Sequence, residues 1–202
     1  MEWRDGSPPD FVFAAKGSRF ITHMKKLRDP EASIQRYFDL IELLGDKLGP
    51  IIFQLPPRWH FDLKRLATFL KALPKPRRYA FEFRDESWMS PSTYELLAKH
   101  DAALCLYDLG RQSPLEVTAD FVYIRLHGPG GAYQGSYGDQ ALATWAQRLR
   151  RWRAKGIAVY CYFDNDEQGN APMNALLLDR FVREPEARLR PQEPSFCRNP
   201  LA

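Results

Sequence analysis

The chain has no unbroken apolar run approaching the roughly 18 residues that a membrane-spanning helix needs. It also lacks a charged start followed by an apolar stretch and a small-residue cleavage site. No membrane partner and no secretory route are therefore indicated, and the cytoplasm is the expected address. Cysteine is scarce: Cys105, Cys161 and Cys197 are the only three, without CxxC spacing, which argues against a disulfide framework or a zinc site. Cys105 and Cys161 sit in apolar strand-like runs and read as buried thiols. Neither GxGxxG nor GxxxxGK[ST] follows any strand-like stretch, which removes support for the nucleotide-binding α/β folds. HExxH is absent, and no glutamate closes the run Asp164, Asn165, Asp166 at EF-hand spacing, so helix capping is the expected use of that run.

Positive charge is in mild excess, at +4. Much of it lies in Arg148, Arg150, Arg151, Arg153 and Lys155 on one predicted helix and in Arg183, Arg188, Arg190 and Arg198 near the end. A solvated helix face and a loose tail explain it without nucleic acid.

With 202 residues, 45% apolar and 13% aromatic, the chain can bury one sizeable core. Apolar residues alternate between two patterns. Short apolar runs read as strands at Phe11–Ala15, Ile51–Leu55, Tyr79–Phe83, Ala102–Tyr107, Phe121–Leu126 and Ile157–Phe163. Between them, spacings of three and four read as helices over Glu31–Leu44, Phe61–Leu73, Ser90 or Ser92 to about His100, Asp139–Lys155 and Met173–Val182. Residues 1 to 9 read as a loop, and Gly49 with Pro50 as a break before the second strand. Strands that are apolar throughout and separated by helices signal a parallel sheet covered by helices. Six strands suit an open doubly wound sheet, whereas a closed (β/α)₈ barrel needs two more. Residues 1–183 form the predicted folded domain, and 184–202 a proline- and arginine-rich tail.

The strongest functional signal is repeated at the strand ends. Lys16 with Thr22 and His23 beyond it, Gln54, Glu82 with Arg84, Asp108, Arg125 with His127, and Asp164 with Asn165 all fall at carboxyl ends, where α/β folds bind ligands. Tyr123, Arg125 and His127 alternate with Val122, Ile124 and Leu126, so one face of that strand is polar and the other aliphatic. A buried Arg125 needs a counter-ion, with Glu82 or Asp108 expected. The loop HGPGGAYQGSYG after Leu126 is expected either to cover the site or to approach a phosphate, or to be a plain connection.

In order, FVFAAK, FITH, FQLP, FEFRDESW, YIRLHG and YFDNDEQGNAPMNA resemble the motifs of the domain-of-unknown-function 72, or YecE-like, family, from about residue 8 to residue 183. The resemblance implies a TIM-barrel-like fold and supplies no settled activity. Members of that family open with a GTSGWxY-like strand and a second strand ending in an NxTFY-like motif, and neither is present here. The expectation is an incomplete α/β TIM-barrel-like fold with about six of eight strand-helix units, a Met1 that is either a misassigned start or the start of a truncated product, and a chain that aggregates or is marginally stable. The family pattern falls on Lys16, Thr22, His23, Gln54, Pro56, Glu82, Arg84, Ser87, Trp88, Tyr123, Arg125, His127, Gly128, Asn165 and Asn174.

The functional expectation is an enzyme or binding barrel for a small polar or anionic ligand at the carboxyl-end rim. Glu82 or Asp108 would serve as general base and His127 or His23 as proton shuttle. Lys16, Arg84 and Arg125 would supply positive charge, with Gln54, Tyr123 and Asn165 as further ligand-binding groups. A metal-dependent variant would draw on His23, Glu82, Asp108, His127 and Asp164, without a recognisable ligand spacing. A nucleic-acid-handling barrel and a noncatalytic partner-binding scaffold are the alternatives. The sequence names no cofactor.

Overall fold

The computed structural model describes residues 2–109 and 113–184. A one-turn helix, α1 (Glu2–Asp5), leads into β1 (Phe13–Lys16), a π-helical turn at Phe20–Met24, α2 (Pro30–Ile41), β2 (Leu48–Gln54), α3 (Leu63–Ala72), β3 (Tyr79–Glu82) and α4 (Pro91–Lys99). The second half runs β4 (Ala102–Asp108), β5 (Phe121–Leu126), α5 (Asp139–Ala154), β6 (Ala158–Phe163) and α6 (Asn170–Arg183). All six strands are parallel and lie in chain order, β1 to β6, in one curled sheet with β1 and β6 at its edges. This is an incomplete TIM-barrel-like α/β fold.

The alternation of side chains along each strand divides the sheet into two faces. Ile51, Phe53, Leu55, Phe81, Phe83, Leu104, Leu106, Val122, Ile124 and Leu126 face outward and form one cluster with the helices. Phe38 of α2, Leu66 and Phe69 of α3, Leu97 of α4, Leu142 and Leu149 of α5 and Leu178 of α6 complete it. Fully buried side chains such as Phe53, Phe69 and Phe81 each contribute about 2–3 kcal/mol to this outer core. The inward face is a second cluster of Ile52, Ala80, Ala103, Cys105, Phe121 and Tyr123, flanked by Ala14, Ala158, Tyr160 and Tyr162. The aliphatic half of the Val122–His127 alternation does meet the helices. Its polar half faces the concave side.

Local signals explain the helix starts. The Asp62 side chain caps α3 by accepting from the Arg65 amide at 3.0 Å, and Ser90 caps α4 with Pro91 in its first turn. Three expectations need correction. Glu2–Asp5 is helical rather than loop. Gly49 and Pro50 lie inside β2, where the β1–β2 register is irregular between Phe13 and Ala15. Such an irregularity tolerates a residue without an N–H. Helix α2 stops at Ile41 and tightens into a 3₁₀ stretch, Glu42–Lys47, because Gly45 takes φ +60°. The segment from Pro185, with Arg188, Arg190, Cys197 and Arg198, lies outside the described residues.

At the amino ends of the strands the concave face is capped. Arg78 donates to the Tyr160 hydroxyl at 2.8 Å, lies 5.6 Å over the Phe121 ring and stands 3.6 Å from Asp120.

Candidate functional site

Strand β3 places Glu82 on the concave face, wholly buried, in register with Gln54 of β2. An ionised carboxylate there must be paired, since desolvation alone costs several kcal/mol. Two guanidinium groups meet it. Arg84, two residues on and so on the same face, donates through Nε to Oε1, and Arg125 of β5 donates through Nη1 to Oε2 at 2.6 Å. Arg125 turns its other nitrogen, Nη2, to Oδ2 of Asp164 at 2.8 Å, an ion pair without hydrogen-bond alignment. Burial acts to lower the basicity of Arg125, but Glu82 and Asp164 outweigh it and raise its pKa. Arg84 continues the chain: its Nη2 approaches Nε2 of His127 at 3.0 Å, and its guanidinium lies 5.1 Å over the Tyr107 ring.

His127 is completely buried, between the rings of Tyr107 and Tyr133. Burial, with the charges of Arg125 and Arg84, outweighs Glu82 and Asp164 and lowers its pKa, so the ring is neutral near pH 7. Arginine can only donate, so Nε2 is assigned as the acceptor and Nδ1 as the protonated nitrogen. Nδ1 has no hydrogen-bond partner among the described residues. Nε2 also has Asp164 Oδ2 at 3.4 Å. Its two neighbours are thus a donor suited to the neutral ring and a carboxylate suited to the protonated one.

Lys16 ends β1 on the same face and is exposed. No carboxylate comes within 4 Å of its Nζ among the described residues, although Arg125, Glu82, Asp164 and Arg84 all act on its charge. Burial of its stem and the nearby Arg125 lower its pKa. Gly17 follows because the chain there runs against Phe53: a Cβ would sit 2.3 Å from that ring. His23, in the π-helical turn, bonds Thr22 Oγ1 at 2.8 Å, and burial, then Arg19 and Lys16, lower its pKa. Tyr123 is buried on the concave face with its ring stacked on Tyr162 at 5.1 Å.

Two expected site residues are placed elsewhere. In β4, Ala103 and Cys105 point inward and Tyr107 follows in phase, so Asp108 points out toward the β5–α5 loop. Its Oδ1 accepts from the His127 amide at 2.8 Å, and its Oδ2 from the Tyr137 hydroxyl at 2.5 Å. That hydroxyl in turn accepts from the Gly128 amide at 2.8 Å. Burial outweighs these bonds and raises the Asp108 pKa. Asn165 likewise faces the loop: its Nδ2 donates to Gly135 O at 2.8 Å and to Asn174 Oδ1 at 2.9 Å. Asn174 of α6 accepts from the Tyr137 amide at 3.0 Å and donates to Ser136 Oγ at 3.0 Å. The glycine-bearing loop is therefore clasped from two sides. Gly128, at φ +114°, is required because a Cβ there would lie 2.1 Å from Gln134 O.

The run after β6 does not cap a helix. Asp166 makes no side-chain cap bond and the N-cap of α6 is Gly169, which has no side chain to supply one; Asp164 is instead drawn to Arg125 and Asn165 to the loop. Asp164, expected only as a strand-end polar group and a possible metal ligand, is the member of the cluster that was given no catalytic or ligand-binding role. The phase Tyr160, Tyr162, Asp164 along β6 is the signal that finds it. No group of three or more His, Cys, Asp or Glu among the described residues is arranged to hold a metal ion. Cys105 and Cys161 are free thiols, the first with Sγ 3.8 Å from Glu82 Oε2. Burial pushes Cys161 up to about 12.

Parallel strands, covering helices and an ionic cluster at the carboxyl-end rim define a TIM-barrel-like α/β protein. The chain belongs to the family described as "Protein of unknown function DUF72", which it matches over residues 1–196. It is 26% identical to UPF0759 protein YunF of Bacillus subtilis (strain 168), across 86% of this chain and 73% of that protein. A DUF72 family protein from Thermotoga maritima MSB8 superposes with a TM-score of 0.72 at 25% identity, covering 89% of this chain and 76% of that one. A DUF72 family protein from Enterococcus faecalis V583 shares the fold at 19% identity, with a TM-score of 0.78 over 90% of this chain and 78% of that one.

Proposed function

We propose that the concave rim binds a small anionic substrate and can move a proton on it. The observation that carries this reading is the charge arrangement: three cations, Lys16, Arg84 and Arg125, face two carboxylates, Glu82 and Asp164, and Lys16 is the one without a carboxylate contact. An anion entering beside Lys16 meets uncompensated positive charge backed by guanidinium groups already fixed in place, so little ordering is needed on binding. His127 fits the role of proton carrier, since gaining a proton would shift the preferred neighbour of Nε2 from Arg84 to Asp164. Glu82, held by two arginines, acts in this reading as the anchor of the cluster rather than as a free base. His23 stands beside Lys16 as a second titrating group. Gln54 and Tyr123 complete the wall, while Asp108 and Asn165 hold the loop that covers His127.

Nucleic acid is the alternative ligand, and the helix arginines support it less than composition alone suggests. Arg150 is spent on Phe181 O at 2.5 Å and Arg148 on the Trp145 ring at 4.8 Å. The free thiols support a reducing, cytoplasmic setting as part of the same proposal.

The experiment is a melting series with phosphate, pyrophosphate, citrate and a single-stranded oligonucleotide at about 50 mM salt, where phosphate contacts are strongest. Small anions are expected to raise the melting temperature of the wild-type chain by mass action, and Lys16→Met to lose most of that rise. If millimolar small anions leave the wild type unmoved, or if the oligonucleotide alone stabilises it, the reading fails.

A further inference from the structure

We infer that the free edge of β6 is a self-association surface, on which a second copy of the chain lays its own β6 antiparallel about a two-fold axis at Cys161.

No strand among the described residues lies beyond β6. All six of its residues are half-buried, whereas β3, inside the sheet, is buried throughout. The Asp164 amide donates to Leu126 O at 2.7 Å, which turns the backbone groups of Asp164 and, by alternation, of Tyr162 and Tyr160 toward β5. The N–H and C=O groups of Val159, Cys161 and Phe163 therefore point away from the sheet, and no partner meets them among the described residues. The outer face beside them is open as well. A groove of about 500 Å³ runs along it, lined in part by Leu149, Ile157, Val159, Cys161, Phe163 and Leu178. Solvent-facing edges are normally guarded by charge, proline, shortness or a bulge. The opposite edge, β1, has such guards: four residues, an irregular register and the exposed Lys16. β6 has none, since AVYCYF carries no charge and no proline and pairs with β5 without a break.

The occupant is a second copy because β6 is complementary to itself. In the two-fold arrangement Val159 of one copy falls opposite Phe163 of the other, and Tyr160 opposite Tyr162. Aromatic and β-branched pairs of this kind stabilise sheets. Val159, Cys161 and Phe163 of both copies then exchange the backbone hydrogen bonds that each lacks alone. A one-residue slip would set the tyrosines of the concave face against outward-facing side chains, which fixes the phase of the pairing. No charge meets a like charge. Ala158 of one copy comes opposite Asp164 of the other, and its small side chain leaves the ion pair with Arg125 in place. Because β1 is guarded, the pairing closes at two copies instead of growing into a fibre.

The test is sedimentation of the full chain over a micromolar concentration series, joined to amide exchange read residue by residue. The mass is expected to rise from one chain to two and to stop there. As the dimer fills, exchange at the Val159, Cys161 and Phe163 amides should slow, while Tyr160 and Tyr162, already bonded to β5, should not change. Val159→Lys places a charge on the bare edge and should weaken the dimer about tenfold or more, as the loss of two cross-strand pairs supplies, with the circular dichroism of the folded chain retained. A monomer at every concentration overturns the proposal. So does a dimer whose edge amides exchange as fast as those of the dilute chain, or a folded Val159→Lys chain that dimerises as tightly as the wild type. Should Val159→Lys fail to fold, the wild-type exchange pattern decides alone. Species larger than two copies overturn the closed pair.

Discussion

Replacing Arg125 by methionine is the sharpest probe of the cluster. Methionine keeps much of the stem volume and removes the charge. Glu82 is fully buried, so its carboxylate cannot recover hydration when Arg125 is lost. Breaking a buried ion pair by removing one partner costs about 3–5 kcal/mol. Glu82 keeps its bond from Arg84, and Asp164, with a side chain 25% exposed, can turn to water, so the lower end applies. We expect about 3 kcal/mol, measured by urea unfolding, which for a domain of this size is a drop in melting temperature of about 6–12 °C. The companion is Glu82→Gln with Arg125→Met. Because the two residues share a bond, the double variant should be less destabilised than the sum of the singles, by at least about 1 kcal/mol. Arg125→Met within about 1 kcal/mol of wild type, or strictly additive singles, would refute the claim that Arg125 is the counter-ion of Glu82.

Two further predictions concern the surroundings of that pair. The folded-state pKa of His127 is lowered, so the unfolded chain binds more protons and stability should decline as pH falls through about 6.5, the ordinary histidine value. His127→Gln should flatten that part of the slope between pH 7.5 and 5 in urea unfolding, and an unchanged slope would mean that the ring is not held neutral. Tyr137→Phe removes the hydroxyl that links Gly128 to Asp108, and should cost about 1–3 kcal/mol. Faster proteolytic cleavage within residues 128–136 is expected alongside it, and unchanged stability together with an unchanged cleavage rate would sink the clasp.

What the sequence made legible was phase. The alternation Tyr123, Arg125, His127 assigned a face and demanded a counter-ion, and Glu82 supplies it at 2.6 Å. The same rule applied to β4 and β6 separates Asp108 and Asn165 from the concave face and brings Asp164 in, because a one-residue shift along a strand reverses the direction of a side chain. Listing polar residues by their nearness to a strand end ignored that parity. The π-helical turn at Phe20–Met24 spans too few residues to show a period, and it sets the position of His23. Pro50 in β2 was illegible for another reason: its tolerance depends on a register irregularity with β1 that only the pairing of two distant segments creates. Asn174, four residues into α6, joined the loop through long-range bonds that no local pattern announces.

The clasp made by Asn174 ties the loop to a helix at the far edge of the sheet. One side-chain oxygen accepts both the Tyr137 amide and the Asn165 amide group, so the loop cannot lift while α6 stays wound through Asn174 without stranding buried donors. Unwinding of α6 through Asn174 and release of the loop are then a single cooperative event. The amide proton of Tyr137, in hydrogen exchange, should report the stability of a helix to which it does not belong.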